Sequence, residues 1–169
     1  MKGNGFGMKR YSEEKTKHLE FLQNIITRMN TNSFQIKTWS ITINAALLAI
    51  YASSSNVTYL LIPIVPTIIF WFLDTFYLQQ ERKFRGVYND VAGLTELKKR
   101  IIIRNFEMPI HKYTKKPYRF FDVFFSKTIL LFYCSLVILL LAGWLFLSKQ
   151  GENLWQRGRC FIASIMGMM

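Results

Sequence analysis

TILLFYCSLVILLLAGWLFL, residues 128 to 147, is a run of 20 residues without a charge. An α-helix of that length rises about 30 Å, the thickness of the hydrocarbon core of a bilayer. Residues 59 to 78 form a second such run, interrupted only by Asp74 near its end. Residues 38 to 52 form a third, shorter and dotted with hydroxyls. The three runs predict an all-α integral membrane protein with about three transmembrane helices and a basic cytoplasmic helical region.

The rest of the chain organises around these runs. Residues 1 to 37 read as a cytoplasmic amphipathic helix, 38 to 78 as a transmembrane hairpin and 79 to 123 as a basic cytoplasmic region. Residues 124 to 148 hold the third crossing, and 149 to 169 a tail without a strong pattern. Lys and Arg number 22 against 10 Asp and Glu, a net charge of +12, yet half of the residues are hydrophobic and the mean hydropathy is +0.16. Charge confined to blocks between apolar blocks is the pattern of loops retained on the cytoplasmic side. That reading explains where the charge lies, so direct nucleic-acid binding, the other use of a basic chain, is not expected. Fifteen Phe, eight Tyr and four Trp suit the membrane interface, where aromatic rings anchor helix ends.

The first 15 residues lack an apolar stretch, so no cleaved signal peptide is expected and the first crossing must direct insertion. Residues 1 to 11 read as a frayed end, and Ser12 as a helix N-cap followed by Glu13 and Glu14 in the first turn. Leu19, Leu22, Ile26 and Met29 then recur at helical spacing, with no Pro or Gly to stop the helix before the membrane. The stretch TWSITINA alternates polar and apolar, as a strand does, but a lone strand in lipid leaves its backbone unpaired, so a helix is expected. On that helix Thr42, Ala46, Ala49 and Ser53 form a face of small residues that permits close backbone approach, with Ser40 and Asn44 on an adjacent face.

SSSNVT, residues 53 to 58, is an uncharged turn, and Pro63 and Pro66 are placed to bend the helix that follows. Glu81 and Arg85 form an i,i+4 pair, and Gly93 is a break. Pro109 and Pro117 make the stretch from 107 to 127 irregular, with Tyr and Phe among Lys and Arg as in a segment lying on a membrane surface. Seven Lys and Arg lie in residues 1 to 37, eleven in 79 to 123 and none in 53 to 58. The N-terminus and middle region are therefore expected in the cytoplasm and the turn outside. Three crossings put the tail outside, against the mild counter-signal of Lys149, Arg157 and Arg159.

The chain holds no GxSxG, P-loop, HExxH or paired-cysteine motif. Cys134 and Cys160 have no metal spacing and are not expected to pair. No cofactor and no metal are expected. His18 reads as a solvated surface residue beside Glu14. Asp74 is the most telling single residue, because a carboxylate at membrane depth needs a partner or a role. It either pairs with Lys37, Arg82 or Lys83, or lines an oligomeric pore as a ring favouring cations. Asn44 either links helices by hydrogen bonds or faces water. Arg104 and His111 resemble the Arg-and-His catalytic pair of HEPN ribonucleases, although Pro109 lies between them.

Three blocks carry a wider resemblance: HLEFLQNIITRMNTNSFQIKTW (18 to 39), FWFLDTFYLQQERKFRGVYNDV (70 to 91) and FSKTILLFY (125 to 133). Taken together they resemble small bacterial multi-helix membrane proteins of anti-phage defence loci, and within them the accessory membrane proteins of type VI-B CRISPR systems. The fixed polar positions are Asn30, Asn32, Ser33, Lys37, Asp74, Gln80, Glu81 and Arg82, joined by Phe84. The blocks cover about a third of the chain; residues 93 to 123 and the tail match nothing in that family. The resemblance implies an oligomeric pore in the bacterial inner membrane that acts when an RNA-guided nuclease meets viral RNA, and a divergent HEPN motif mapping onto Arg104 and His111. The expected function is thus a homo-oligomeric membrane effector, not an enzyme. The alternatives are a membrane-tethered HEPN-like ribonuclease and a non-conducting anchor for a cytoplasmic partner.

Overall fold

The computed structural model describes residues 4–54 and 56–166, with side chains for 10–54 and 56–149. The side chains of Arg157, Arg159 and Cys160 lie outside those described. Among the described residues four α-helices carry the fold: α1 (Asn4–Ser54), α2 (Ile64–Ala92), α3 (Phe120–Phe124) and α4 (Lys127–Met166). Short 3-10 turns at Val57–Leu61 and Ile110–Lys112 complete it, and no strand occurs among the described residues. The all-α expectation holds, and TWSITINA is helical throughout.

Two helical stretches, Val57–Ala92 and Lys127–Lys149, are long and apolar enough to cross a membrane. Only 22% and 17% of their most apolar windows are buried. A core helix of a water-soluble domain would be mostly covered. Residues 38 to 52, expected as a crossing in their own right, do not reach that apolarity. Thr38, Ser40, Thr42 and Asn44 dilute the run, although the helix continues through it without a break.

Three boundaries differ from expectation. Helix α1 starts at Asn4, so Ser12 is no cap; its carbonyl accepts from Thr16 Oγ1 at 3.0 Å inside the helix. Gly5 and Gly7 are weak helix formers, and their propensity is overridden by propagation from a strong helix. Residues 150–166, expected to be patternless, continue α4. The middle region is less helical than expected: α2 ends at Ala92, and between Gly93 and Arg119 only Ile110–Lys112 is helical, as one 3-10 turn. Gly93 adopts φ +84°, which ends the helix, and the N–H groups of Gly93 and Leu94 both donate to the Asn89 carbonyl, at 3.0 and 2.9 Å. At the other end, the missing N–H groups of Pro63 and Pro66 explain the 3-10 entry into α2. Asn56 caps that turn, its side chain accepting from the Thr58 N–H at 3.0 Å.

The chain divides into two units. One contains the residues up to Lys37 and Trp71–Ile129; the other contains Thr38–Phe70 and the residues from Leu130 on. In the first unit Leu22 of α1, Val87 and Val91 of α2 and Tyr113 form a core, joined by Leu19, Phe84, Ile101, Ile103 and Met108. The irregular segment 93–119 is therefore folded onto the amphipathic face of α1 and α2. In the second unit the buried residues include Ser40, Asn44, Leu60, Thr67, Tyr133 and Leu140.

Candidate functional site

Asp74 lies on α2 and is wholly buried. Its Oδ2 is 2.6 Å from Lys37 Nζ, and its Oδ1 accepts a short hydrogen bond from Ser33 Oγ. Lys37 Nζ also donates to Ser33 Oγ at 2.9 Å. Ser33 and Lys37 are one turn apart on α1, so their side chains share a face and close on one carboxylate. Of the three partners open in the sequence, the structure selects Lys37. The carboxylate is enclosed within a single chain, which favours a clamp between α1 and α2 over a pore-lining ring.

Asn44 makes the second polar link. Its Nδ2 donates to Thr67 Oγ1 at 2.8 Å, and the Thr67 hydroxyl donates to the Pro63 carbonyl at 2.8 Å. Asn44 is thus a helix link, of a kind worth about 0.6 kcal/mol and up to about 1.7 in lipid. Its Oδ1 and the buried Ser40 hydroxyl have no hydrogen-bond partner among the described residues. The small-residue face behaves differently. Thr42, Ala46, Ala49 and Ser53 are all exposed, and the Thr42 hydroxyl donates to the Thr38 carbonyl at 3.0 Å. That face is free for a neighbour, flanked on α1 by exposed Trp39, Ile41 and Ile50.

No hydrogen bond or ion pair joins Arg104 to His111 among the described residues. Both are exposed, Arg104 in a turn and His111 in the 3-10 turn beyond Pro109. Arg104 lines a cavity with Asn105, Phe106, Glu107 and Lys112, and His111 is absent from that lining. No group of three or more His, Cys, Asp or Glu placed to hold a metal occurs among the described residues.

His18 corrects the sequence reading. It is fully buried rather than solvated, because segment 93–119 closes over α1. Its ring lies 5.7 Å from that of Phe106, whose φ of +64° turns the chain there. Neither ring nitrogen has a partner of normal geometry. Burial lowers its pKa from the ordinary 6.5, and the Glu107 backbone pulls it partly back. The unfolded chain therefore binds more protons than the folded one below the ordinary value. Stability from this contact is fully present above pH 6.5 and is lost as pH falls from there through the folded pKa. Proteolytic protection of segment 93–119 is expected to fall below about pH 6.5, and His18→Phe is expected to remove that component.

The anchor of segment 93–119 is Asp90, which sequence reasoning missed. Its Oδ2 accepts from Tyr113 Oη at 2.5 Å and from the Ile101 N–H at 3.3 Å, and its carbonyl accepts from Arg100 Nε at 2.9 Å. Burial, then the Asp90 contact, pushes the Tyr113 phenol far above its ordinary range. A Cβ on Gly86 would lie 2.8 Å from Tyr113 ring carbons, so only glycine admits that ring. Nearer the predicted interface, Trp71 stacks on Phe124 with ring centroids 4.6 Å apart, and Gln79 Nε2 donates to the Tyr118 carbonyl at 2.9 Å. Ser33 and Thr67 had a faint signal, since each sits one turn from a residue already suspect, Lys37 and Pro63. Asp90 and Tyr113 had none, because an irregular segment has no period to read.

Comparison of the chain with protein-family models, with curated proteins and with solved structures gives no match.

Proposed function

We propose that the chain is an integral membrane protein that self-associates and opens or depolarises the bacterial inner membrane in anti-phage defence. One observation carries the membrane part: two helices of crossing length leave most of their apolar surface uncovered, including Val65, Ile69, Leu131, Leu139 and Phe146. In water such surface is costly, at about 25 cal/mol per Å²; in lipid it is not. Val57–Ala92 and Lys127–Lys149 then supply two crossings. Residues 38 to 54 of α1 accompany the first, because residues 55 and 56 alone separate α1 from the Val57–Leu61 turn and Asn44 bonds Thr67. The charge asymmetry supports a cytoplasmic N-terminus and middle region.

Self-association is supported by the exposed Thr42, Ala46, Ala49 and Ser53 face, since small residues let helices approach closely in lipid. The defence setting and the coupling to an RNA-guided nuclease rest on the family resemblance alone. A potential-sensitive dye during phage infection tests the reading. Ala46→Leu with Ala49→Leu, both exposed and so harmless to the protomer, is expected to reduce triggered depolarisation by about tenfold or more, while Lys98→Ala leaves it unchanged. Loss of one close packing seam worth about 1–2 kcal/mol is the basis of that figure. Unchanged depolarisation in the double variant at equal membrane abundance would count against the α1 face. The ribonuclease alternative predicts RNA cleavage abolished by Arg104→Ala with His111→Ala, and the lack of a bond between those residues favours no effect. The anchor alternative predicts a cytoplasmic partner recruited to the membrane without a change in potential.

A further inference from the structure

A second cavity, of about 350 Å³, lies beside Asp90 in the first unit. Lys99, Lys112, Lys115 and Lys116 line it, with Thr95 and Tyr118 among the remaining walls. The lysines arrive from three stretches of chain: the turns after Gly93, the Ile110–Lys112 3-10 turn, and the turn closed by the Tyr118 N–H on the Lys115 carbonyl at 2.9 Å. Bringing four ammonium groups to one concavity costs free energy through like-charge repulsion. The acids offset little of it. Lys99 pairs with Glu96 at 2.8 Å, both about three-quarters exposed, and Lys116 stands 3.7 Å from Asp122. Lys112 and Lys115 make no ion pair among the described residues. Asp90, the carboxylate of the cavity, is occupied by Tyr113 and the Ile101 N–H.

We infer that this cavity binds an anionic phosphate ester group, held by Lys99, Lys112, Lys115 and Lys116. Ammonium groups bind phosphate as point charges through charge-assisted hydrogen bonds. The Thr95 hydroxyl adds a neutral donor, and the half-buried Tyr118 gives a wall against which the organic part of the ligand rests. The volume is that of a small-ligand pocket. The phosphate has two sources, a soluble nucleotide or an anionic lipid headgroup, because Tyr118 leads directly into α3 with its exposed Phe121. The site stands independently of any pore.

The test uses the full chain in phosphatidylcholine nanodiscs and isothermal titration with ATP and with pyrophosphate, alongside nanodiscs containing 30% phosphatidylglycerol, a conventional fraction of about one lipid in three. A nucleotide site gives saturable ATP binding in the phosphatidylcholine discs. A headgroup site gives thermal stabilisation by phosphatidylglycerol and no ATP binding. In whichever arm responds, Lys112→Ala with Lys115→Ala is expected to weaken the response about tenfold or more, since each removes a charged hydrogen bond. Lys112→Arg with Lys115→Arg is expected to retain most of it, and Lys98→Ala, outside the cavity, all of it. Neither arm responding at about 1 mM ligand would overturn the site. So would loss by Lys98→Ala equal to that of the double variant, or equally tight binding of mixed-sequence single-stranded RNA, which would mark a general polyanion surface.

Discussion

Lys37→Ala is expected to destabilise the chain by about 3–5 kcal/mol, more than Asp74→Ala does. The asymmetry follows from burial. Asp74 is fully enclosed, and its partners are Lys37 at 2.6 Å and the Ser33 hydroxyl. Removing the lysine strands a carboxylate that has only a hydroxyl to stabilise it. Removing the carboxylate leaves a lysine whose side chain keeps 22% of its surface, enough to turn toward water or headgroups. Removing both eliminates the unpaired charge, so the double variant is expected to recover a large part of the loss. Denaturant unfolding in mild detergent, run as a double-mutant cycle, measures this. A Lys37→Ala cost no greater than that of Asp74→Ala would mean that the pair does not hold α1 against α2.

Gly86→Ala is expected to cost about 1–3 kcal/mol, a large effect for one methyl group. The added Cβ would lie 2.8 Å from Cδ1 and Cε1 of Tyr113 and from the Tyr118 hydroxyl. Tyr113 cannot yield cheaply, because its hydroxyl is bonded to Asp90 and its ring packs edge-on against Tyr118 at 5.2 Å. Moving it opens the Leu22, Val87 and Val91 core and frees segment 93–119. Limited trypsin digestion reads this directly, as faster cleavage after Lys112 and Lys115. Cleavage at the native rate would show that Tyr113 does not close the segment.

These two sites differ in how far they could be seen in the sequence, for a physical reason. Asp74 stood out because a lone acid in an apolar run must be compensated, and Lys37 was among the few cations within reach. The helices were visible for the same kind of reason: periodicity on α1, and uninterrupted apolar runs on α2 and α4. The fold of 93–119 was not visible. It depends on Asp90 reaching Tyr113, 23 residues on, through chain with no repeating pattern. His18 looked solvated because its cover, Phe106, comes from that same segment. The extra length of α1 and α4 was hidden by glycines and charges, which local propensity penalises and a long cooperative helix tolerates.

Val57–Ala92 and Lys127–Lys149 are expected to lie in lipid. Extraction of membranes from cells expressing the full chain, with sodium carbonate at high pH, tests this most directly. The chain is expected to stay in the membrane pellet and to leave it only with detergent, as an oligomer. Release into the carbonate supernatant as a monodisperse, detergent-free protein would contradict the account.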